Sequence, residues 1–297
     1  MIKNNRDFLF ISDATLCNPN GDPDTENKPR MDMDTKTLLV SDVRLKRNIR
    51  DFLENKGKNI FVSMMDDKKV TMDTRFKSII KKAGKEKATP DEKVQTILDT
   101  MVDIRMFGSA FAIDKINKII TGPIQVTWGY SLHPVDLVKS NAIVTIMNDD
   151  NSTFGKMYKA EYAMIAHIGS VNKFAAKKTG LSDEDVELFS KALVQSMMNN
   201  LTHSKQGQQP LLYLEIEYNE NFDGYLGDLR RYLQIKLNKE YAIRSMEDVT
   251  VDFSKLVDVI TLYKEKGYIN TVRIWKNPLS NFKNLPEAEK LDLLKTI

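Results

Sequence analysis

Residues 7–15, DFLFISDAT, limit this chain more than any other stretch. Read as a strand, the run is apolar on both faces, so it must be covered on both sides and lie inside a sheet. A chain of 297 residues is long enough to bury such a core without disulfides or metal staples. Its apolar and charged fractions, 41% and 29%, are those of ordinary globular proteins. No repeat, low-complexity tract or Gly/Ser linker divides it. The expectation is one elaborated domain over residues 1–297.

Composition removes several classes of function. Cys17 is the single cysteine, which excludes an internal disulfide framework and a multi-cysteine zinc site and fits a reducing cytoplasm. Three histidines (His133, His167, His203) without an H-x-x-x-H spacing exclude a zincin. No apolar run is long enough to span a bilayer, and the start, MIKNNRDFLFISDATL, does not read as a signal peptide. No membrane association is expected. Walker A, G-x-S-x-G and dinucleotide fingerprints are absent, so no cofactor is expected, and His133 and His167 read as satisfied structural histidines. The net charge of +3 is small, but it is unevenly spread. Residues 41–58 hold six basic side chains against three acidic ones, and residues 68–87 hold eight against two. A basic N-terminal third is either a solvated face or a surface for a polyanion.

The remaining elements follow from periodicity. Ser41 caps a helix running to about Lys56, with Asp42 at its positive end and Leu45, Ile49, Phe52 and Leu53 as its core stripe. Residues 60–65 read as a short strand, and 66–99 as a basic insertion outside the core. In 123–131, Ile124, Val126, Trp128 and Tyr130 alternate onto one face. Strands are expected at 142–147, 158–168, 211–218 and 271–275. Helices are expected from Ser182, with acids in its first turn, and at 254–266 and 285–296. This order of strands and helices is that of a ferredoxin-like α+β fold, an antiparallel sheet with insertions.

Four stretches could carry chemistry. The loop 18–37 contains N-P-N-G-D-P-D-x-E-N-x-P-R-x-D, whose prolines and Asn20-Gly21 make it a shaped loop. It reads as a structural turn, a phosphate- or protein-contacting loop, or a metal site using Asp22, Asp24, Asp32 and Asp34; its spacing is not that of an EF-hand. On the following helix, Lys46 and Arg50 flank the core stripe on one side, and Arg44 and Arg47 on the other. They can follow a polyanion or snorkel over the core edge. In D103-I-R-M-F-G108, Phe107 is a core residue or a stacking platform, and Gly108 allows close backbone approach. Between the strands at 142–147 and 158–168, the hairpin link 148–155 carries Phe154, followed by Lys156 and Met157. An apolar pair beside a cation there could wedge between nucleotides, or fold back on the core.

Taken in order, R6-D-F-L-F-I, the 18–32 loop, V40-S-D-V-x-L-K-R-x-I-R-D51, D103-I-R-x-F-G108, T121-G-P-I-Q125, S131-x-H-P-V135, F154-G-K-M-Y-K-A-E-Y162 and T179-G-L-S-x-E-D-x-E-L-F189 resemble one family. It is the seventh CRISPR-associated protein of type I systems, and the likeness is strongest to subtypes I-B and I-C. The likeness covers about residues 6–219 and leaves 66–99 and the extension 220–297 aside. It implies a modified RNA-recognition-motif fold, with 66–99 in a finger region and a thumb hairpin. It implies a non-catalytic backbone subunit of Cascade in antiviral defence. Such subunits stack head to tail along a guide RNA, beside other Cascade subunits, and leave its bases to pair with a target DNA strand. By position, the resemblance makes Asn18, Asn20, Arg30, Arg44, Lys46, Arg47, Arg50, Phe107 and Gly108 RNA-binding. It makes Lys156 and Met157 candidates for the thumb, with 203–209 as a second thumb candidate. The competing implication is a metal-dependent ribonuclease of the type III kind, which cuts with an acid in an early loop.

Overall fold

The computed structural model describes residues 1–65, 68–113, 116–139, 142–145, 153–199 and 202–297, with backbone alone at 143–145 and 153–155. The doubly apolar run becomes the strand Arg6–Cys17, in the middle of a nine-stranded sheet. Its antiparallel neighbours are Ala160–Val171 and Gln208–Tyr218. Ile269–Lys276 pairs outside Gln208–Tyr218. On the other side, Ile124–Val126 and Gly129–Ser131 both pair with Ala160–Val171, and Thr37–Val40 follows. Every pairing in this sheet is antiparallel except the outermost one, between Ile269–Lys276 and Glu289–Lys290.

Successive side chains of a strand point to opposite faces, and each face here has its own cover. Phe8, Phe10 and Tyr213 pack under helices α1 (Asp42–Asn55) and α6 (Asp183–Asn199) through Leu45, Ile49, Phe189 and Leu193. Leu9, Ile11, Leu212 and Leu214 face the C-terminal region, through Val249, Val251, Phe253 and Leu256. Residues 220–297 therefore supply the second cover of the sheet. Both covering helices begin where their sequence says. Ser41 Oγ accepts from Arg44 N at 3.3 Å, and Ser182 Oγ from Asp185 N at 3.2 Å.

The basic stretch 66–99 is more ordered than its weak periodicity indicates. It contains α2 (Met72–Lys82), capped by Thr71, and α3 (Pro90–Thr100), capped by Thr89 in a reciprocal box with Glu92. These helices pack on the hairpin Gly108–Ile113/Ile116–Thr121 around a third core that includes Phe61, Phe76, Ile80, Ile97 and Phe111. The insertion thus reaches beyond residue 99 and includes that hairpin. The short α4 (Val102–Phe107) leads from α3 into it.

Three other expectations are corrected. Residues 60–65 form no strand: Phe61 N and Val62 N donate to the Asp103 carboxylate rather than to a neighbouring strand. The 123–131 alternation breaks, because Thr127 and Trp128 fall between two short strands. Ile124 and Val126 are buried, Gly129 and Ser131 take the inward positions after them, and Trp128 is left 46% exposed. Residues 285–296 are not helical. Leu291 N donates to Ile274 O, and the Leu293 carbonyl accepts from Gln195 Nε2 at 2.7 Å, so the tail runs extended across the end of α6.

The strands at 142–147 and 158–168 appear as Ala142–Thr145, paired with Thr153–Lys156, and as Ala160–Val171. The link between them, residues 146–152, lies outside the described residues. His133 is satisfied, with Nδ1 against Pro134 O at 2.8 Å and Nε2 accepting from Met164 N. His167 departs from the same reading: it is buried, and among the described residues neither ring nitrogen has a hydrogen-bond partner. Burial, and secondarily the nearby Arg230 charge, push its pKa down to about 4, so it is a neutral packing residue. Its ring lies against Gly129, where any Cβ would stand 2.4 Å away.

Asp13, on the central strand, faces Tyr162 across the neighbouring one, with the hydroxyl donating at 3.3 Å. Burial outweighs that bond and raises the Asp13 pKa from 3.8 to about 6. The folded chain therefore holds this proton more tightly than the unfolded chain. The resulting stabilisation is complete below about pH 4 and is lost as pH rises through about 6. In urea titrations, Asp13→Asn should gain stability relative to the parent between pH 4 and 6.5, and an unchanged difference across that range would contradict the assignment.

Candidate nucleic-acid interface

The loop 18–37 and α1 form one mechanical unit. Asn20 Oδ1 accepts from both the backbone N (2.8 Å) and the hydroxyl (2.9 Å) of Ser41, the residue that caps α1. Arg30 N donates to Asn20 O, and Leu39 N to Arg30 O. Asn18 is held similarly: its amide Nδ2 donates to Asn27 O at 2.8 Å, and its own carbonyl accepts Lys205 Nζ at 2.6 Å. Asn18 and Asn20 are buried. Both residues therefore shape the loop.

The acids of the loop do not converge. Asp22 Oδ1 accepts from Asp24 N at 3.2 Å and lies 3.4 Å from Arg30 Nη2. Asp32 Oδ1 accepts from Asp34 N and Thr35 N, and the Thr35 hydroxyl first, then these two backbone donors, hold its pKa below the usual carboxylate value. Both are turn-making carboxylates. Among the described residues no group of three His, Cys, Asp or Glu is placed to hold a metal ion.

The cations of α1 have different surroundings. Lys46 pairs with Asp42 at 3.0 Å, and Arg47 with Asp51 at 2.7 Å, each one turn apart. Arg50 is tied into the fold: its Nε donates at 3.0 Å to Asp103, whose side chain is fully buried and also accepts from Phe61 N and Val62 N. Lys46 and Arg50 lie over the Phe107 ring, 5.6 and 5.2 Å from its centroid. Phe107 in turn packs edge-on to Phe189 of α6 at 6.1 Å, so it is half core and half platform. Gly108 is buried with φ +72, and a Cβ there would stand 2.1 Å from Ile120 O. It is required for the turn from α4 into the hairpin and presents no side of itself to a ligand.

Arg44 differs from the others. Its Nη2 donates to Asn48 Oδ1 at 2.6 Å, its Nε is buried without a partner among the described residues, and no carboxylate there lies within 4 Å of it. Burial lowers its pKa, partly offset by the Asp51 charge. It lies close enough to Lys205 to depress that residue further. Burial first, and then Arg44, bring the Lys205 pKa from 10.5 to about 8. Lys205 also has no carboxylate partner among the described residues. It belongs to the 203–209 segment but was not singled out by sequence reasoning. Its lack of a nearby acid depends on the fold, which brings residue 205 to the carbonyl of residue 18.

The hairpin expected between 142–147 and 158–168 is instead Ala142–Thr145/Thr153–Lys156, because Ala160–Val171 pairs with the central strand, and the base of that hairpin reaches the same loop. Lys156 Nζ lies 3.8 Å from Glu26, which accepts the Tyr158 hydroxyl at 2.6 Å, and Lys28 sits over the Tyr158 ring at 5.0 Å. Met157 is half-buried beside them. The Phe154 side chain lies outside the described residues.

The two cations differ in the carboxylate each one leaves behind. Arg50→Ala leaves the fully buried Asp103 without its cation, and should cost about 2 kcal/mol or more. Lys46→Ala leaves Asp42 partly exposed at the helix N-terminus, which favours its charge, and should cost no more than about 0.5 kcal/mol. Urea or thermal melts of the two variants test this, and equal costs would show that Asp103 does not depend on Arg50.

Comparison with known proteins agrees with this arrangement. Residues 4–254 match the family described as CRISPR-associated protein Cas7. A CRISPR-associated protein Cas7 from Haloferax volcanii is 30% identical over 298 residues, covering 91% of this chain and 86% of the relative. A chain of a solved CRISPR RNA-guided surveillance complex in a pre-nicking state superposes with a TM-score of 0.60 at 12% identity, covering 97% of this chain and 96% of its own. A chain of another CRISPR RNA-guided surveillance complex superposes with a TM-score of 0.52 at 13% identity, covering 97% and 94%. The chain belongs to the CRISPR-associated protein Cas7 family.

Proposed function

We propose that this chain is a non-catalytic backbone subunit of a type I Cascade effector, of the I-B or I-C kind. It holds guide RNA without regard to sequence, stacks head to tail with further copies beside other Cascade subunits, and leaves the bases to a target DNA strand. The strand order around Arg6–Cys17, with α1 and α6 on one face, supports reading it as one elaborated RNA-recognition-motif domain, and the single cysteine fits a place in the cytoplasm. In this reading the hairpin Ala142–Thr145/Thr153–Lys156 is the thumb, and 66–99 belongs to the finger.

The observation that carries the reading is that Arg44 and Lys205 have no carboxylate within 4 Å among the described residues, while both their segments are tied to the loop 18–37: Lys205 Nζ donates to Asn18 O, and Asn20 holds Ser41 at the start of the helix that carries Arg44. Each of the other candidate cations, Arg30, Lys46, Arg47, Arg50 and Lys156, already has a carboxylate within 4 Å. A backbone phosphate of RNA is the ligand that Arg44 and Lys205 fit, with the guanidinium giving directed donors and the ammonium a point charge. The turn-making roles of Asp22 and Asp32 favour this reading over a metal-dependent ribonuclease.

RNA binding measured by anisotropy should fall with salt at a slope of about −0.7 per phosphate neutralised. Arg44→Ala and Lys205→Ala should each weaken binding and flatten that slope, while Arg47→Ala should change it little. Assemblies followed by mass photometry should grow with RNA length; a monomer that ignores RNA of every length would remove the reading.

The Lys205 charge is lost as pH rises through about 8. Affinity for RNA should therefore weaken from pH 7 to 9 in the parent and change less in Lys205→Ala. An identical pH response in both proteins would place the titrating cation elsewhere.

A further inference from the structure

We propose that Trp128 is a stacking platform for one RNA base, backed by Arg30. This rests on the RNA-binding reading above and adds a contact to a base rather than to the backbone.

Trp128 occupies the gap where the 123–131 segment changes face, and nearly half of it is exposed. Its position is fixed from behind. Its carbonyl accepts Arg230 Nη1 at 2.9 Å, and Thr127 N donates to Ile168 O at 2.9 Å. The Arg30 guanidinium stands over the indole, 5.8 Å from its centroid, and is itself held by Asp22. Arg30 is anchored through its backbone to Asn20, the residue that locks the start of α1. The ring is thus linked, through Arg30 and Asn20, to the start of the helix that carries Arg44. Among the described residues the indole N–H has no hydrogen-bond partner, although the paired face of the ring is covered.

A flat ring with a cation on one side and solvent on the other takes a second flat π system on its open face. Among ligands that carry both such a ring and the anion that Arg44 and Lys205 fit, a nucleotide of single-stranded RNA matches. Stacking of this kind tolerates any base, because each has a π face, and a cation on the far side strengthens it. It therefore agrees with binding that ignores sequence. A neighbouring copy of this chain seated on the ring is the competing occupant.

The test uses the full chain with two probes of equal length, an oligouridylate and an abasic ribose-phosphate oligomer. The other tryptophan, Trp275, is buried in the core and serves as a constant background. The expected result is quenching of Trp128 emission by the oligouridylate and none by the abasic oligomer, though both bind. Trp128→Ala should weaken oligouridylate binding about tenfold and leave abasic binding unchanged. Trp128→Phe should restore most of the loss. Equal loss on both probes, or oligouridylate binding without quenching, overturns the base contact and leaves the phosphate reading standing. Emission that changes with protein concentration alone, in the absence of RNA, also overturns it, in favour of a second copy. Failure of both probes to bind removes the RNA reading and this inference together.

Discussion

The Asp103 carboxylate organises one side of the molecule. It is fully buried and accepts three donors: Arg50 from α1, and the backbone N–H groups of Phe61 and Val62 from the chain leading into the insertion. One side chain thus joins the helix over the sheet, the connection that follows it, and the short helix from which it projects. Two residues on, Arg105 repeats the device toward α6, with two bonds of 2.9 Å to Asp185 and further donation to the carbonyls of Leu98 and Asp99. A buried carboxylate costs several kcal/mol to desolvate unless its lone pairs are occupied. Here backbone donors and a guanidinium do so together. The insertion core, α1 and α6 therefore hold a fixed relation that apolar packing alone would leave loose.

That hub explains what was legible in the sequence and what was not. Elements whose identity depends on local pattern came through: the central strand, α1 with its Ser41 cap, α6 with its acidic first turn, and Ile269–Lys276. Residues 60–65 look like a strand because Ile60 and Phe61 are buried; only the distant Asp103 shows that their donors are occupied elsewhere. The 285–296 segment has helical spacing, but Gln195 and Ile274 capture its backbone in an extended form. Long-range competition for backbone groups is invisible to periodicity.

The same distinction runs through the candidate site. Residue type located the loop and the basic helix. It did not separate Arg50, tied to Asp103, from Arg44, which bonds to Asn48 and has no carboxylate within 4 Å among the described residues. Nor did it show the scaffolding roles of Asn18, which holds the loop to itself, and Asn20, which locks it to the helix. Trp128 was assigned to the face of its strand neighbours and is exposed because the strand breaks before it. Partner identity, not residue type, distinguishes a cation already paired with a carboxylate from one that is not.

The central strand has a temporal consequence as well. Its two neighbours lie far along the chain: the Asp13–Tyr162 bond joins residues 149 apart, and the Asp7–Tyr218 bond residues 211 apart. At a synthesis rate of about 5–20 residues per second, the Phe8–Ile11 run waits roughly 10–40 s before both flanking strands have been made. Both its hydrogen-bonding edges stay open until Ala160–Val171 has been made, and one stays open until Gln208–Tyr218 follows. A ribosome making this protein therefore exposes its stickiest strand early and completes its shelter late, and such high contact order makes folding slow. Holding factors that bind short apolar runs on nascent chains would find their natural client here, and copies truncated before Gln208 would lack a partner for one whole edge.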